Sequence, residues 1–210
     1  MAFTTLFSIL AVLLVFPERG AAQDDAASIH AYWAGRLRSA ASLRVIASSS
    51  LLGGKRLSIL AARPQKYRID MSDRVVVCDG SKVWNYSVAR NSVVVSRFRP
   101  NSSAMSVETL LLDVLGAYKP VSLKNRNASA EGSGYVLRLE PSGNEKYGVR
   151  SMEITLDRVS KRFRSIDVTL AQGTQSWTIE SLRLDVPVAK SAFTFKNPKN
   201  CEVIAMDDGK

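Results

Sequence analysis

The sequence predicts an α+β chain that is mainly β: a curved antiparallel sheet or incomplete barrel with helices on its concave side. Three observations predict it. Apolar and polar residues alternate in one short segment after another, the period of a half-buried strand. Only two stretches, 24–50 and 106–118, repeat their apolar residues at helical spacing. No strand–helix–strand alternation is present, so a parallel sheet is not expected. A sheet of about ten strands, each with one apolar face, tends to curl or close.

Taken in order, 24–50 reads as a helix. Asp24 or Asp25 can cap it, and Ile29, Trp33, Leu37, Ala40, Ala41 and Leu43 follow at helical spacing. Gly53-Gly54 opens a turn, and 56–62 is the first expected strand. Arg63-Pro64 closes that strand. Tyr67, Ile69 and Met71 then alternate with Arg68 and Asp70. Asp79-Gly80 lies between two apolar runs, a strong hairpin signal, and Trp84-Asn85-Tyr86 stands on the return strand. Residues 92–98 form another strand. The second helix, 106–118, carries an apolar stripe of Val107, Leu110, Leu111, Val114 and Leu115, with Ser106 as its cap and Gly116 and Pro120 ending it. A helix set between strands suits a plug or cap. Residues 119–134 are polar and loop-like. Strands follow at 135–140, 151–157, 164–170 and 175–186, and Phe193-Thr194-Phe195 closes the set. Within 175–186 the apolar phase switches between Ile179 and Leu182, which predicts a bulge.

Composition bounds the rest. The 210 residues are 46% hydrophobic and 23% charged, enough for a packed core. The apolar run 6–16 is too short to span a bilayer. It is followed by Pro17 and then by the small residues Gly20-Ala21-Ala22, so 1–22 reads as a secretory signal peptide cut before Gln23. Residues 23–210 form a single domain. The net charge of +10 favours an anionic surface, either nucleic acid or lipid headgroups. The basic run Arg158, Lys161, Arg162 and Arg164 has no aromatic platform interleaved with it, so nucleic acid is not the expected partner. Cys78 and Cys201 are the two cysteines. In an exported chain they form a disulfide, or else they are two buried thiols.

Catalysis finds little support. His30 is the sole histidine and lies on the first helix. No nucleophile elbow, phosphate loop or dinucleotide fingerprint occurs, and no metal site or cofactor is expected. The chain is read as a binding protein and not as an enzyme.

Several motifs fall in a characteristic order. Ala62-Arg63-Pro64 precedes an aromatic-bearing strand; Val77-Cys78-Asp79-Gly80-Ser81-Lys82-Val83-Trp84-Asn85-Tyr86 follows; Ala192-Phe193-Thr194-Phe195-Lys196-Asn197-Pro198 comes near the end. Together they resemble the outer-membrane lipoprotein carrier (LolA) family over nearly all of the mature chain. The chain departs from the family pattern at Val45-Ile46-Ala47-Ser48, at Gly53-Gly54, at Cys78 and in its basic charge.

The resemblance implies an unclosed β-barrel with a helical lid over an apolar cavity. It implies a monomeric periplasmic carrier that takes acylated lipoproteins, or another lipid, from an inner-membrane ABC exporter to an outer-membrane acceptor. The alternative is an envelope sensor of the same fold that binds cargo without ferrying it. Arg63 would latch the lid by bonding its backbone carbonyls. The cavity wall is expected from Tyr67, Ile69, Met71, Trp84 and Tyr86, with Leu110, Leu111, Val114 and Leu115 from the lid. Ordinary core packing would leave the same periodicity.

Overall fold

A computed structural model describes residues 25–99, 114–129, 132–143 and 148–206. One α-helix, α1 (Ala26–Ser39), precedes a twelve-stranded sheet. The strands are β1 (Ser42–Ser48), β2 (Arg56–Ala62), β3 (Lys66–Asp70), β4 (Arg74–Cys78), β5 (Lys82–Ser87), β6 (Ser92–Arg97), β7 (Tyr118–Ser129), β8 (Gly132–Pro141), β9 (Val149–Asp157), β10 (Phe163–Leu170), β11 (Gly173–Leu184) and β12 (Glu202–Ala205). Their order is β12-β6-β5-β4-β3-β2-β1-β11-β10-β9-β8-β7. Every neighbouring pair is antiparallel except β12–β6. The sheet is not closed into a barrel, as the alternating segments predict.

Helix α1 forms where its sequence allows. The Asp25 carboxylate accepts from Ser28 N at 2.7 Å and satisfies one free donor of the first turn. Ile29, Trp33 and Leu37 then lie on one face, all buried. The Trp33 ring meets Phe163 edge-on at 4.5 Å, and its Nε1 donates to Lys161 O at 3.1 Å. His30 Nε2 lies 2.9 Å from Leu115 O, so the lone histidine ties α1 to the 3-10 turn Val114–Ala117.

The helix stops at Ser39, not at 50. From Ser42 the apolar residues change period: Leu43, Val45 and Ala47 are buried, while Arg44 is exposed. Such a run satisfies its backbone as β1, between β2 and β11. The polar stretch expected to be a loop is also a strand, β7, at the sheet edge. Pro120 and Lys124 suit an edge, where one side of the backbone needs no ladder bonds. Phe193-Thr194-Phe195 is not a strand: it lies in the irregular segment between β11 and β12. The bulge read from the phase switch is present. Ile46 pairs with Ser181 and Ala47 with Ile179, so Glu180 is the extra residue.

The β4–β5 hairpin turns at 79–81 as Asp79-Gly80 predicts. Asp79 Oδ1 accepts from Ser81 N and Lys82 N, each at 2.8 Å. Gly80 has φ +96°, a conformation that side-chain-bearing residues rarely adopt.

Of the expected second helix, residues 106–113, including Val107, Leu110 and Leu111, lie outside the described residues, as does the expected leader 1–22. It does not reach 118, because Tyr118 already pairs with Pro141 in β7.

Candidate functional site

Cross-strand partners in a sheet share a face. Tyr67 stands opposite Ala61 and Cys78, and Ile69 stands opposite Ile59 and Val76. Leu43 and Val45 of β1 continue the same rows, opposite Leu184 and Leu182 of β11. These residues make one apolar patch, joined by Met71, Val83, Phe98, Trp177 and Ile179. It is continuous through Ile179, Leu182 and Leu184 with the core beneath α1.

The two halves of this face differ. Over β8 and β9, α1 and the 3-10 turn bury the sheet: Leu137, Leu139 and Leu156 are at most 1% exposed, while Ile166, Val168 and Leu170 of β10 pack against this core half-buried. Over β2–β5 and β11, Ile59, Ile69, Met71, Val76, Val83, Trp177 and Leu182 are only half-buried. This partly open apolar surface is the candidate site. A cleft of about 230 Å³ at the start of β2 and the end of β3 adjoins this surface through Leu52 and Met71, with Lys55, Arg56, Ser72 and Asp73 on its other sides. It is polar on most sides and smaller than pockets for drug-sized ligands, about 300–1,000 Å³.

Tyr67, Ile69 and Met71 thus lie together on the helix-bearing face. Trp84 and Tyr86 do not join them. The 79–81 connection sets Val83 opposite Cys78, so Trp84 falls opposite Val77 and points to the other face. There Trp84 packs with Leu60, Ala62, Val77 and Phe193, and the Tyr86 ring lies 5.8 Å from Phe195. The segment after β11 covers that face, and this is what the Phe-x-Phe motif does. Leu115 is buried under α1, in the closed half of the core. Sequence reasoning missed β1 and left Phe98, Trp177 and Ile179 out of the expected cavity wall. For β1 the alternation of Leu43, Val45 and Ala47 was a usable signal.

Arg63 sits on the turn between β2 and β3. Its Nε donates to Ala40 O and its Nη2 to Arg38 O, both at 3.2 Å, while its backbone N donates to Ala41 O at 3.0 Å. The guanidinium fork thereby meets the C-terminal carbonyls of α1, the negative end of the helix dipole. These acceptors belong to the end of α1; the expected acceptors at 106–113 lie outside the described residues.

Tyr67 is the titratable group inside the patch. Burial, with a smaller contribution from nearby Cys78, pushes its hydroxyl up to about 12, so it stays neutral. On the hairpin, burial pushes the Asp79 carboxyl up, but hydrogen bonds from Lys82 and Ser81 outweigh it and leave it below the usual range.

The cysteines do not pair; both are thiols. Cys78 ends β4 and Sγ donates to Gln65 O at 3.3 Å. Cys201 precedes Glu202 of β12, three strands from β4, and Glu202 pairs with Ser92 at the other end of the strands. About four residues of strand, roughly 13 Å, separate their levels, more than the approximately 7 Å a disulfide spans.

The face and its helix define a class: an open antiparallel half-barrel with a partly covered apolar surface. The chain belongs to the LolA family, described as outer membrane lipoprotein carrier protein LolA, which matches residues 57–196. No curated protein sequence matches it. An uncharacterized conserved protein from Thermus thermophilus is similar in structure, with TM-score 0.51 and 13% identity over 83% of this chain and 98% of that one. A LolA superfamily protein from Nitrosomonas europaea gives TM-score 0.40 at 11% identity, over 82% and 99%. Lipoprotein LppX from Mycobacterium tuberculosis gives TM-score 0.43 at 12% identity, over 76% and 95%. At these identities the likeness concerns the fold alone.

Proposed function

We propose that the protein is a periplasmic carrier that holds the acyl chains of lipoproteins, or of another lipid, against the open half of the helix-bearing face. It would move them from an inner-membrane exporter to an outer-membrane acceptor. The observation that carries this reading is the half-buried apolar patch around Tyr67, Ile69, Met71 and Trp177, beside a helix clasped by Arg63. Membership of a family described as lipoprotein carriers supports it.

The physical task is severe. Each CH₂ withdrawn from a bilayer into water costs about 0.8 kcal/mol, so an acyl chain needs a comparable apolar surface on the way. The carrier must also let go. Release is possible only when the empty state is nearly as favourable as the loaded one. Carbonyl bonds from a solvent-exposed guanidinium can break and re-form against water, which suits that balance.

The test is transfer between two membranes with purified protein. Arg63→Leu is expected to take up acylated lipoprotein normally and to deliver it several-fold more slowly. Uptake and delivery equal to those of the parent protein would remove Arg63 from the mechanism. A parent protein that binds acyl chains yet never delivers them would move the reading to a sensor.

A further inference from the structure

The antiparallel order places the starts of β1, β3, β5, β8 and β10 at one rim of the sheet, with the ends of β2, β4, β6, β9 and β11. That rim is basic along its length. On one side Lys66 begins β3, Lys82 begins β5 and Arg97 ends β6. Arg36 and Arg38 come from the last turn of α1 in the middle. On the far side the β9–β10 turn brings Arg158, Lys161 and Arg162. Among the described residues the acids there, Asp79, Asp157 and Asp185, are engaged locally: by Ser81 and Lys82 N, by Ser160 and Arg164, and by Ala41 N. The opposite rim mixes signs, with Asp70, Asp73, Glu140 and Glu202 among its cations.

Two details point to what this rim meets. Lys82 and Arg97 stand directly opposite each other on neighbouring strands, a like-charge pairing that costs stability unless an anion meets it. At the tip of the β9–β10 turn, Val159 is 89% exposed between Arg158 and Lys161. An acidic protein needs no protruding aliphatic tip, and neither does nucleic acid. A bilayer accepts both features: phosphates take the cations, and the interface takes the valine.

We infer that this basic rim docks the protein on an anionic phospholipid bilayer, with Val159 entering the interface. The inference stands on charge and exposure and is independent of what the apolar face holds. The headgroup array is dense and laterally mobile, so a row of cations can engage it without a shaped pocket. Each cation near such a surface strengthens binding roughly fivefold, and salt screens the attraction.

The experiment is sedimentation of the full chain with phosphatidylcholine vesicles, with and without phosphatidylglycerol, at low and high salt. Binding is expected only with phosphatidylglycerol and is expected to fall at high salt. The Lys82→Glu/Arg97→Glu variant should bind at least tenfold more weakly, and Val159→Asp several-fold more weakly. An opposite-rim variant, Arg74→Glu/Arg90→Glu, should change binding less than twofold. Circular dichroism confirms that each variant is folded, and the salt response of the parent protein tests the inference without any substitution. No binding to anionic vesicles, equal binding to neutral ones, or equal loss from the opposite-rim variant would overturn it. So would DNA binding with no vesicle binding. Acyl-chain uptake from detergent, without vesicles, reports on the carrier reading separately.

Discussion

Tyr67 shows how one side chain reports on the patch around it. The residue is buried and its pKa is about 12, while an unfolded tyrosine ionises near pH 10. As pH rises past 10, the unfolded chain loses this proton first, so unfolding becomes easier. The group's stabilisation is complete below about pH 10 and is lost as pH rises through about 12. Between pH 9 and pH 11 the expected loss is about 1 kcal/mol. Tyr67→Phe should abolish that part of the alkaline decline, which urea melts at the two pH values would measure. Arg63 offers a second check at this scale. Arg63→Lys keeps the charge but loses the fork that reaches Arg38 O and Ala40 O together. Hydrogen exchange at the end of α1 should speed up several-fold in that variant, and unchanged exchange would mean that the clasp contributes nothing to holding the helix.

At the scale of elements, the close approach of β8 and β9 can be tested at Gly134. A Cβ there would lie 2.6 Å from Leu156 O, a backbone atom that cannot move aside. Replacing a strand glycine by alanine usually stabilises; here Gly134→Ala should destabilise by about 1–3 kcal/mol, read as a lower urea midpoint. Much of the sheet was legible because its strands alternate cleanly: 151–157 and 164–170 read directly as β9 and β10. The bulge at Glu180 was legible for the same reason, since a phase switch has few other causes. What stayed hidden had physical reasons. Ala40, Ala41 and Leu43 continue the spacing of α1 by coincidence, and this masked the start of β1. The polar β7 gains its place from its partner strand and not from its own pattern. The facing of Trp84 and Tyr86 depends on how three turn residues set the register, and a slip of one residue exchanges the faces.

For the whole molecule, the account turns on asymmetry. Under α1 the helix-bearing face is a buried core over β8 and β9, and over β2–β5 and β11 its apolar rows stay partly open. On the opposite face the segment carrying Phe193 and Phe195 covers part of β2–β5: Leu60, Ala62 and Val77 are buried, and Trp84 and Tyr86 are half-buried. A lipid carrier needs this division between a stable half and a receptive half, because cargo must not compete with the core that holds the fold. Neither charge nor periodicity could locate the boundary, since core and receptive surface use the same residue types. The most direct measurement is photo-crosslinking with a diacylated lipopeptide that carries a diazirine near the end of one acyl chain, followed by peptide mapping. The expected adducts fall on peptides containing Ile69, Met71, Trp177 and Ile179. Adducts confined to the peptides of Trp84, Tyr86 and Phe195, or none at all on folded protein, would contradict the account.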